Sequence, residues 1–184
     1  MIRNCAEEGK LYESMTWCPG TTRTPGVRKR IYFISKDNIV KWPTVGKGKY
    51  TGNFTLASEK YWNYMDLVVN DSKFSAESQG ENPCKTFRQH GEFFYPGLES
   101  DITDFETMAI NDDLVYLVQQ TSGDFKVLGC ENYPTDTNCS SDSGQGATDK
   151  IGVTITPECD APTDLLIYTG SIMIGENEDA NAAA

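Results

Sequence analysis

The sequence predicts a mainly β protein: an antiparallel β-sandwich or barrel with one packed α-helix and extended arms or loops. Three observations carry that expectation. Short apolar or alternating runs recur along the chain, separated by clusters of turn residues. Only one segment, residues 102–111, has an apolar stripe at helical spacing. The strand-like runs come in neighbouring pairs, as local hairpins do. The chain has 184 residues, with 3 Trp, 9 Tyr and 8 Phe. That suits one domain whose aromatic core folds without disulfide or metal staples.

Residues 1–30 read as an irregular basic arm. Pro19, Gly20, Pro25 and Gly26 interrupt it, and it ends in Arg28-Lys29-Arg30. Ile31-Tyr32-Phe33-Ile34 is short and apolar enough for a buried strand. Lys36-Asp37-Asn38 is a turn signal, and Ile39 to Trp42 forms a strand closed by Pro43. Gly46 and Gly48 mark a loop, followed by a strand over Tyr50 to Leu56. Tyr61 to Val69 is rich in aromatic and β-branched residues, Asn70-Asp71-Ser72 turns the chain, and Phe74 to Gln79 alternates. The two runs read as a hairpin. Gly80 to Pro83 is a further turn, and Lys85 to Tyr95 is a long strand ended by Pro96-Gly97.

The helix is expected over 102–111, with Asp101 as its cap. Ile102, Phe105, Met108 and Ala109 form its apolar stripe. Leu114 to Val118 and Phe125 to Gly129 then form a hairpin around Thr121-Ser122-Gly123-Asp124. Residues 131–149 are polar throughout and read as a long loop. Ile151 to Thr156 alternates cleanly, and Leu165 to Ile174, running through Gly170, forms the last strand. The resulting organisation is an arm at 1–30, a β-rich domain at 31–174, and a flexible acidic, Ala-rich tail at 175–184.

The net charge is −11, which opposes duplex nucleic-acid binding. Residues 1–50 carry 10 basic and 4 acidic residues, a balance of +6; residues 51–184 carry 6 and 23, a balance of −17. A basic arm and an acidic body attract one another, within a subunit or between neighbours. No run of 18 apolar residues exists, so no membrane-spanning helix is expected. The acids in Met-Ile-Arg-Asn-Cys-Ala-Glu-Glu also argue against a signal peptide.

Six cysteines, at 5, 18, 84, 130, 139 and 159, include no Cys-x-x-Cys pair and accompany one histidine. Those spacings do not suggest zinc, and reduced cysteines acting as small apolar residues are expected. Cys130 and Cys139 could bridge a loop, though nothing in the sequence requires it. His90, the lone histidine, has no accompanying catalytic signature. Gly46-Lys47-Gly48-Lys49 lacks phosphate-loop spacing, and Asp136, Asp142 and Asp149 do not match a calcium loop. Asn53, Asn70 and Asn138 begin glycosylation-type triplets, about as many as chance supplies. No catalytic residue, metal site or cofactor is therefore expected, and no enzyme activity.

The order of elements resembles a family, the phage tail-tube and tail-ring proteins. A charged arm enters the strand Ile31 to Ile34, and a strand pair follows near Tyr61–Val69 and Phe74–Gln79. The helix at 102–111 leads straight into the hairpin Leu114–Val118 and Phe125–Gly129. A polar loop then precedes Gly152 to Ile155, and the chain closes with Ile167 to Ile172. The resemblance is one of pattern over residues 30–174 and transfers no individual functional residue. It implies a virion structural protein, assembled in the host cytoplasm, whose β-sandwich subunits join around a ring, often six-fold. Such rings stack on neighbouring tail or portal-side rings into a channel through which DNA passes without specific binding.

An acidic body fits that role, because DNA that must slide should meet little cationic surface. Arg28, Lys29 and Arg30 are the candidate assembly residues, pairing with acids on a neighbour. Asp71, Glu77 and Glu81, at and beside the Phe74–Gln79 strand, are the candidate channel-lining residues. The alternative is a surface-exposed β-sandwich binding or adhesion module with oxidised cysteines. A third reading, an enzyme using carboxylates such as Asp101 and Asp104, competes with their simpler role at a helix start.

Overall fold

The structure, a computed structural model, describes residues 24–146, 148–175 and 178–179. Its elements begin with β1 (Val27–Ser35), β2 (Ile39–Lys41), β3 (Thr44–Gly46), β4 (Lys49–Thr51) and β5 (Thr55–Leu56). β6 (Asn63–Asp66), β7 (Lys73–Gln79), β8 (Thr86–Pro96) and the helix α1 (Ser100–Ala109) follow. The chain continues through β9 (Leu114–Gln120), β10 (Phe125–Leu128), β11 (Thr135–Asp142) and β12 (Gly152–Ala161). It closes with β13 (Ile167–Tyr168), β14 (Met173–Gly175) and β15 (Glu178–Asp179). The mainly β class with a single α-helix is thus the one the sequence predicts.

A seven-stranded sheet runs β3-β4-β13-β10-β9-β1-β6, and a four-stranded sheet runs β11-β12-β8-β7. They pack face to face. The core between them joins Ile31, Tyr116, Val118 and Leu128 of the first sheet to Phe93, Val153 and Ile155 of the second. Helix α1 closes one side, burying Ile102 and Ala109 and setting Phe105 edge-on against Phe33 at 5.0 Å. The seven-stranded sheet is buried on its other face as well. Tyr32, Ile34, Val115, Leu117 and Val127 meet Tyr50, Phe54, Trp62 and Tyr168 there. Phe54 is the hub of this second core, with ring centroids 5.2 Å from Trp42, 5.4 Å from Trp62 and 5.1 Å from Tyr168. Two-sided burial is why Leu114 to Val118 is apolar without alternation.

The four-stranded sheet alternates instead, one face packed and one face polar. On β8, Gly91 makes room for its own strand: a Cβ there would lie 2.8 Å from the Phe93 ring, which folds over it. On the packed face Gln89 and Thr137 find partners, whereas among the described residues the buried Thr135 hydroxyl has none. Gln89 accepts from the Gly129 amide at 2.9 Å and donates to the Thr163 carbonyl at 3.3 Å. Tyr116 and Thr137 join their hydroxyls across the core at 3.0 Å, and burial pushes the Tyr116 phenol well above its usual range.

Several expectations are corrected. Tyr61–Val69 and Phe74–Gln79 are not a hairpin. β6 pairs with β1 and β7 pairs with β8, so the chain changes sheets across the 3-10 turn Val69–Asp71. Ser72 fixes that crossing by donating to the Val68 carbonyl at 2.8 Å and accepting from the Phe94 amide at 3.2 Å. Part of the expected loop 131–149 is β11, an eight-residue strand paired along its length with β12. Its packed face is made of Thr135 and Thr137 rather than aliphatics, so a hydrophobic pattern does not reveal it.

The expected single last strand divides into β13, beside β4 and β10, and β14, beside β15. Gly46 and Gly48 flank the tight β3–β4 connection rather than an open loop. The Tyr50–Leu56 strand is likewise two pieces, β4 and β5. The helix starts two residues early, with Asp101 in its first turn and Glu99 at the cap position, where it makes no side-chain cap bond. Met108 is 66% exposed and leaves the stripe. Arg28, Lys29 and Arg30 lie inside β1 and not in an arm. Residues 1–23, and all of the proposed tail except Gly175 and Glu178–Asp179, lie outside the described residues.

Candidate functional site

The outer face of the four-stranded sheet is a polar surface built from regular structure. Alternation sends every second side chain there: Ser75 and Glu77 of β7, Arg88, His90 and Glu92 of β8, Thr154 to Asp160 of β12, and Asp136 to Asp142 of β11. Strand register aligns them in rows. Asp136 faces Glu158, which faces His90, which faces Ser75. Asp160 faces Arg88, which faces Glu77.

Short contacts cross these rows. His90 Nδ1 lies 3.1 Å from Glu158 Oε1, and Arg88 Nε 3.3 Å from Asp160 Oδ1. Gln79 Nε2 donates to the same Asp160 oxygen at 2.6 Å, and Lys73 Nζ meets Glu92 Oε2 at 2.8 Å. Glu77, Glu92, Asp136, Asp142, Glu158 and Asp160 are six carboxylates on this face against two fixed cations, Lys73 and Arg88. Leaving His90 aside, the balance is −4.

Glu77 is the candidate channel residue that sits squarely on this face, exposed on β7. Asp71 borders it. Its carboxylate pairs with Lys150 Nζ beside a concavity that Phe94 and Thr154 also line. Glu81 is exposed in the turn that follows β7. The sequence reading missed Glu92, Asp136, Asp142, Glu158 and Asp160. A signal existed for two of them: from Val153 to Ala161 the odd positions are buried and the even ones are Thr, Thr, Glu and Asp.

Neither long edge of this sheet is paired with another strand, and among the described residues no backbone–backbone hydrogen bond reaches β7 or β11 from outside the sheet. At β11 the Thr135 amide donates to Asp113 Oδ1 at 2.7 Å and Ser141 Oγ to Glu106 Oε1 of α1 at 2.6 Å. The four strands are antiparallel throughout, so β7 and β11 run in opposite directions.

The basic candidates lie elsewhere, at the irregular start of β1, where Arg30 shares with Tyr32 the face of the seven-stranded sheet turned away from the four-stranded one. Arg30 and Asp66 are cross-strand partners, joined by Nε to Oδ1 at 2.8 Å and by Nη2 to Oδ2 at 3.3 Å. Lys29 Nζ reaches the same carboxylate at 3.4 Å, and the Arg30 guanidinium stacks 4.0 Å over the Tyr64 ring. The hydrogen bond from Arg30 holds the Asp66 carboxyl below its usual range, and Asp66 in turn raises Arg30. Lys29 and Arg30 are therefore partnered within their own chain. Arg28 is exposed, and among the described residues it has no ion-pair partner.

The catalytic alternatives find little geometry. Ser75, His90 and Glu158 share a row, but no hydrogen bond joins Ser75 to His90 on this open sheet face. Asp101 and Asp104 lie on the first turns of α1. Asp142 and Asp149 accept backbone amides of their own loop, from Gly144 and from Gln145 and Gly146. Among the described residues no group of three or more His, Cys, Asp or Glu is arranged to hold a metal. No described helix is long and apolar enough to cross a membrane.

Compared with known proteins, the chain matches no family model, and no curated protein or solved structure is significantly similar to it.

Proposed function

We propose that this chain is a virion structural protein of the tail-tube or tail-ring type. In this reading copies join edge to edge through their four-stranded sheets and turn the acidic outer face toward a channel for DNA. The observation that carries it is the antiparallel sheet β11-β12-β8-β7, neither of whose edges is paired with another strand among the described residues.

An even number of antiparallel strands leaves its two edges running in opposite directions. β7 of one copy therefore meets β11 of the next in antiparallel fashion under a simple rotation. The edges match in length, seven residues against eight. Repetition closes the sheet on itself and removes both edges, which otherwise invite uncontrolled pairing. One face of the closed sheet is packed on each subunit's core, leaving the acidic face free to line a lumen. A balance of −4 per copy, repeated around a ring, repels phosphate and keeps DNA from sticking. Glu77 lies on that wall, with Asp71 and Glu81 at its rims. Arg28 remains available for contacts with a neighbouring ring; Lys29 and Arg30 are held by Asp66.

Light scattering on the purified full chain across a concentration series, with negative-stain electron microscopy of the same samples, tests the proposal. Rings or stacked tubes are expected. A monomer at every concentration, with no rings on the grid, refutes it and leaves the surface-exposed binding module as the better reading.

A further inference from the structure

Two thiols meet where the sandwich's sheets come together, behind the strand that carries Glu158 and Asp160. Cys130 immediately follows β10 and the Gly129 turn, on the seven-stranded side; Cys159 lies on the packed face of β12. Both are buried, and their Sγ atoms are 3.7 Å apart. They share acceptors. The Asp160 carbonyl lies 3.4 Å from each sulfur, and the Tyr133 carbonyl lies 3.8 Å from Cys130 and 4.0 Å from Cys159. This pair differs from the Cys130–Cys139 bridge open to the sequence reading. Cys139 instead lies half-buried on β11 against the helix side of the core.

We infer that Cys130 and Cys159 are a disulfide-forming site, oxidised by a low-molecular-weight disulfide of the glutathione type into a covalent staple between the two sheets. The separation of 3.7 Å must close to about 2.05 Å, the length of an S–S bond. Both residues border open space, Cys130 a larger cleft that Trp42, Tyr50 and Glu131 also line and Cys159 a smaller concavity with Tyr133 and Pro134, and Cys130 on the larger cleft is the entry point. The hydrogen bond from Cys159, with backbone hydrogen bonds at Tyr133 and Asn132, holds the Cys130 thiol below its usual value. A lowered thiol reaches the nucleophilic thiolate form more readily than its partner. The same hydrogen bond and burial push Cys159 up, so it keeps its proton until the second step. Cys139 competes poorly: burial and Glu106 push it up to about 11.

The chemistry balances in two exchanges. The Cys130 thiolate attacks one sulfur of the small disulfide, forming a mixed disulfide and releasing one small thiolate. Cys159 then loses its proton to solvent and attacks Cys130 Sγ, releasing the second small thiolate. The protein loses two protons and two electrons, and the oxidant becomes two thiols. The new bond ties the end of β10 to β12 and closes the chain segment that carries β11.

This site is independent of the tail-ring reading, and its test does not involve assembly. The reduced full chain is incubated with oxidised glutathione, alkylated, digested without reductant and mapped by mass spectrometry. A linked peptide pair containing Cys130 and Cys159 is expected. The melting temperature of the oxidised chain should rise by about 5–10 °C and fall back on reduction. In Cys159→Ser, Cys130 should retain one glutathione as a stable adduct; in Cys130→Ser, Cys159 should remain unmodified. The unsubstituted chain carries the decisive measurement, so a poorly folding variant does not obscure it. Recovery of Cys130 and Cys159 both alkylated, linkage of either to Cys84 or Cys139, or identical melting of the two redox states would overturn the inference.

Discussion

Proline in β7 separates the fold of the four-stranded sheet from its proposed contact with a second copy. Along a strand, consecutive amides point to opposite sides. Of Glu77 and Ser78, one therefore donates toward β8 and the other toward the open edge. Both side chains are exposed, so neither Glu77→Pro nor Ser78→Pro disturbs the core. A full β7–β11 contact over seven residues holds about seven backbone hydrogen bonds, each worth about 0.5–1.5 kcal/mol net. Proline on the open side removes one donor and crowds the partner strand, costing about 1–3 kcal/mol per contact. That weakens each contact by about 5- to 150-fold, and a ring repeats the loss at every subunit.

On the β8 side, proline breaks an internal ladder bond and costs the fold about 3 kcal/mol, a fall in melting temperature of about 6–12 °C. Thermal melts identify which variant is which, and sedimentation velocity then reads assembly. The variant that melts like the parent should assemble poorly. If it assembles as well as the parent, the β7 edge is not the contact and the closed-sheet reasoning fails.

Three other outcomes are expected. Asp66→Asn removes the carboxylate shared by Arg30 and Lys29. The groups are partly exposed, so the loss at pH 7 should be about 0.5–1.5 kcal/mol by urea denaturation. Because folding depresses the Asp66 pKa, its stabilisation is complete above the unfolded value near 3.8 and disappears as pH falls through the folded value. Parent and variant should therefore converge in acid; a constant gap from pH 7 to pH 2 would contradict the assignment. Tyr116→Phe leaves the buried Thr137 hydroxyl unpaired and should cost about 1–2 kcal/mol, most of it recovered by adding Thr137→Val. No recovery would place the loss in packing instead. Glu77→Lys with Glu158→Lys changes the outer-face balance from −4 to 0. The double variant should retain DNA at low salt in a gel-shift assay where the parent does not, and particles carrying it should release DNA more slowly. Unchanged release would move the channel to another face.

The sequence by itself determined the β class, the single helix and the β9–β10 hairpin, because each follows from local chemistry. Leu114 to Val118 and Phe125 to Leu128 are apolar runs joined by a short turn, and no distant residue is needed to recognise them. Long-range pairing was decided only by the tertiary structure. Thr135 to Asp142 has no apolar pattern, and it is a strand because β12 supplies an eight-residue ladder and the core accepts two threonines, one bonded to Tyr116. Tyr61–Val69 and Phe74–Gln79 look like a hairpin by spacing. Met65 packs beside Ile31 while Phe74 turns to the other sheet, so the chain crosses the sandwich between them.

The candidate surface divides in the same way. Alternation placed Glu77 on a polar face, but the full set of carboxylates appeared only once strands far apart in sequence were in register. Arg30 and Asp66 are separated by 35 residues of chain, and Cys130 and Cys159 by 28. Composition shows a basic segment, an acidic body and six thiols, and only the pairing of β1 with β6 and the approach of the segment after β10 to β12 decides which charges and which sulfurs meet.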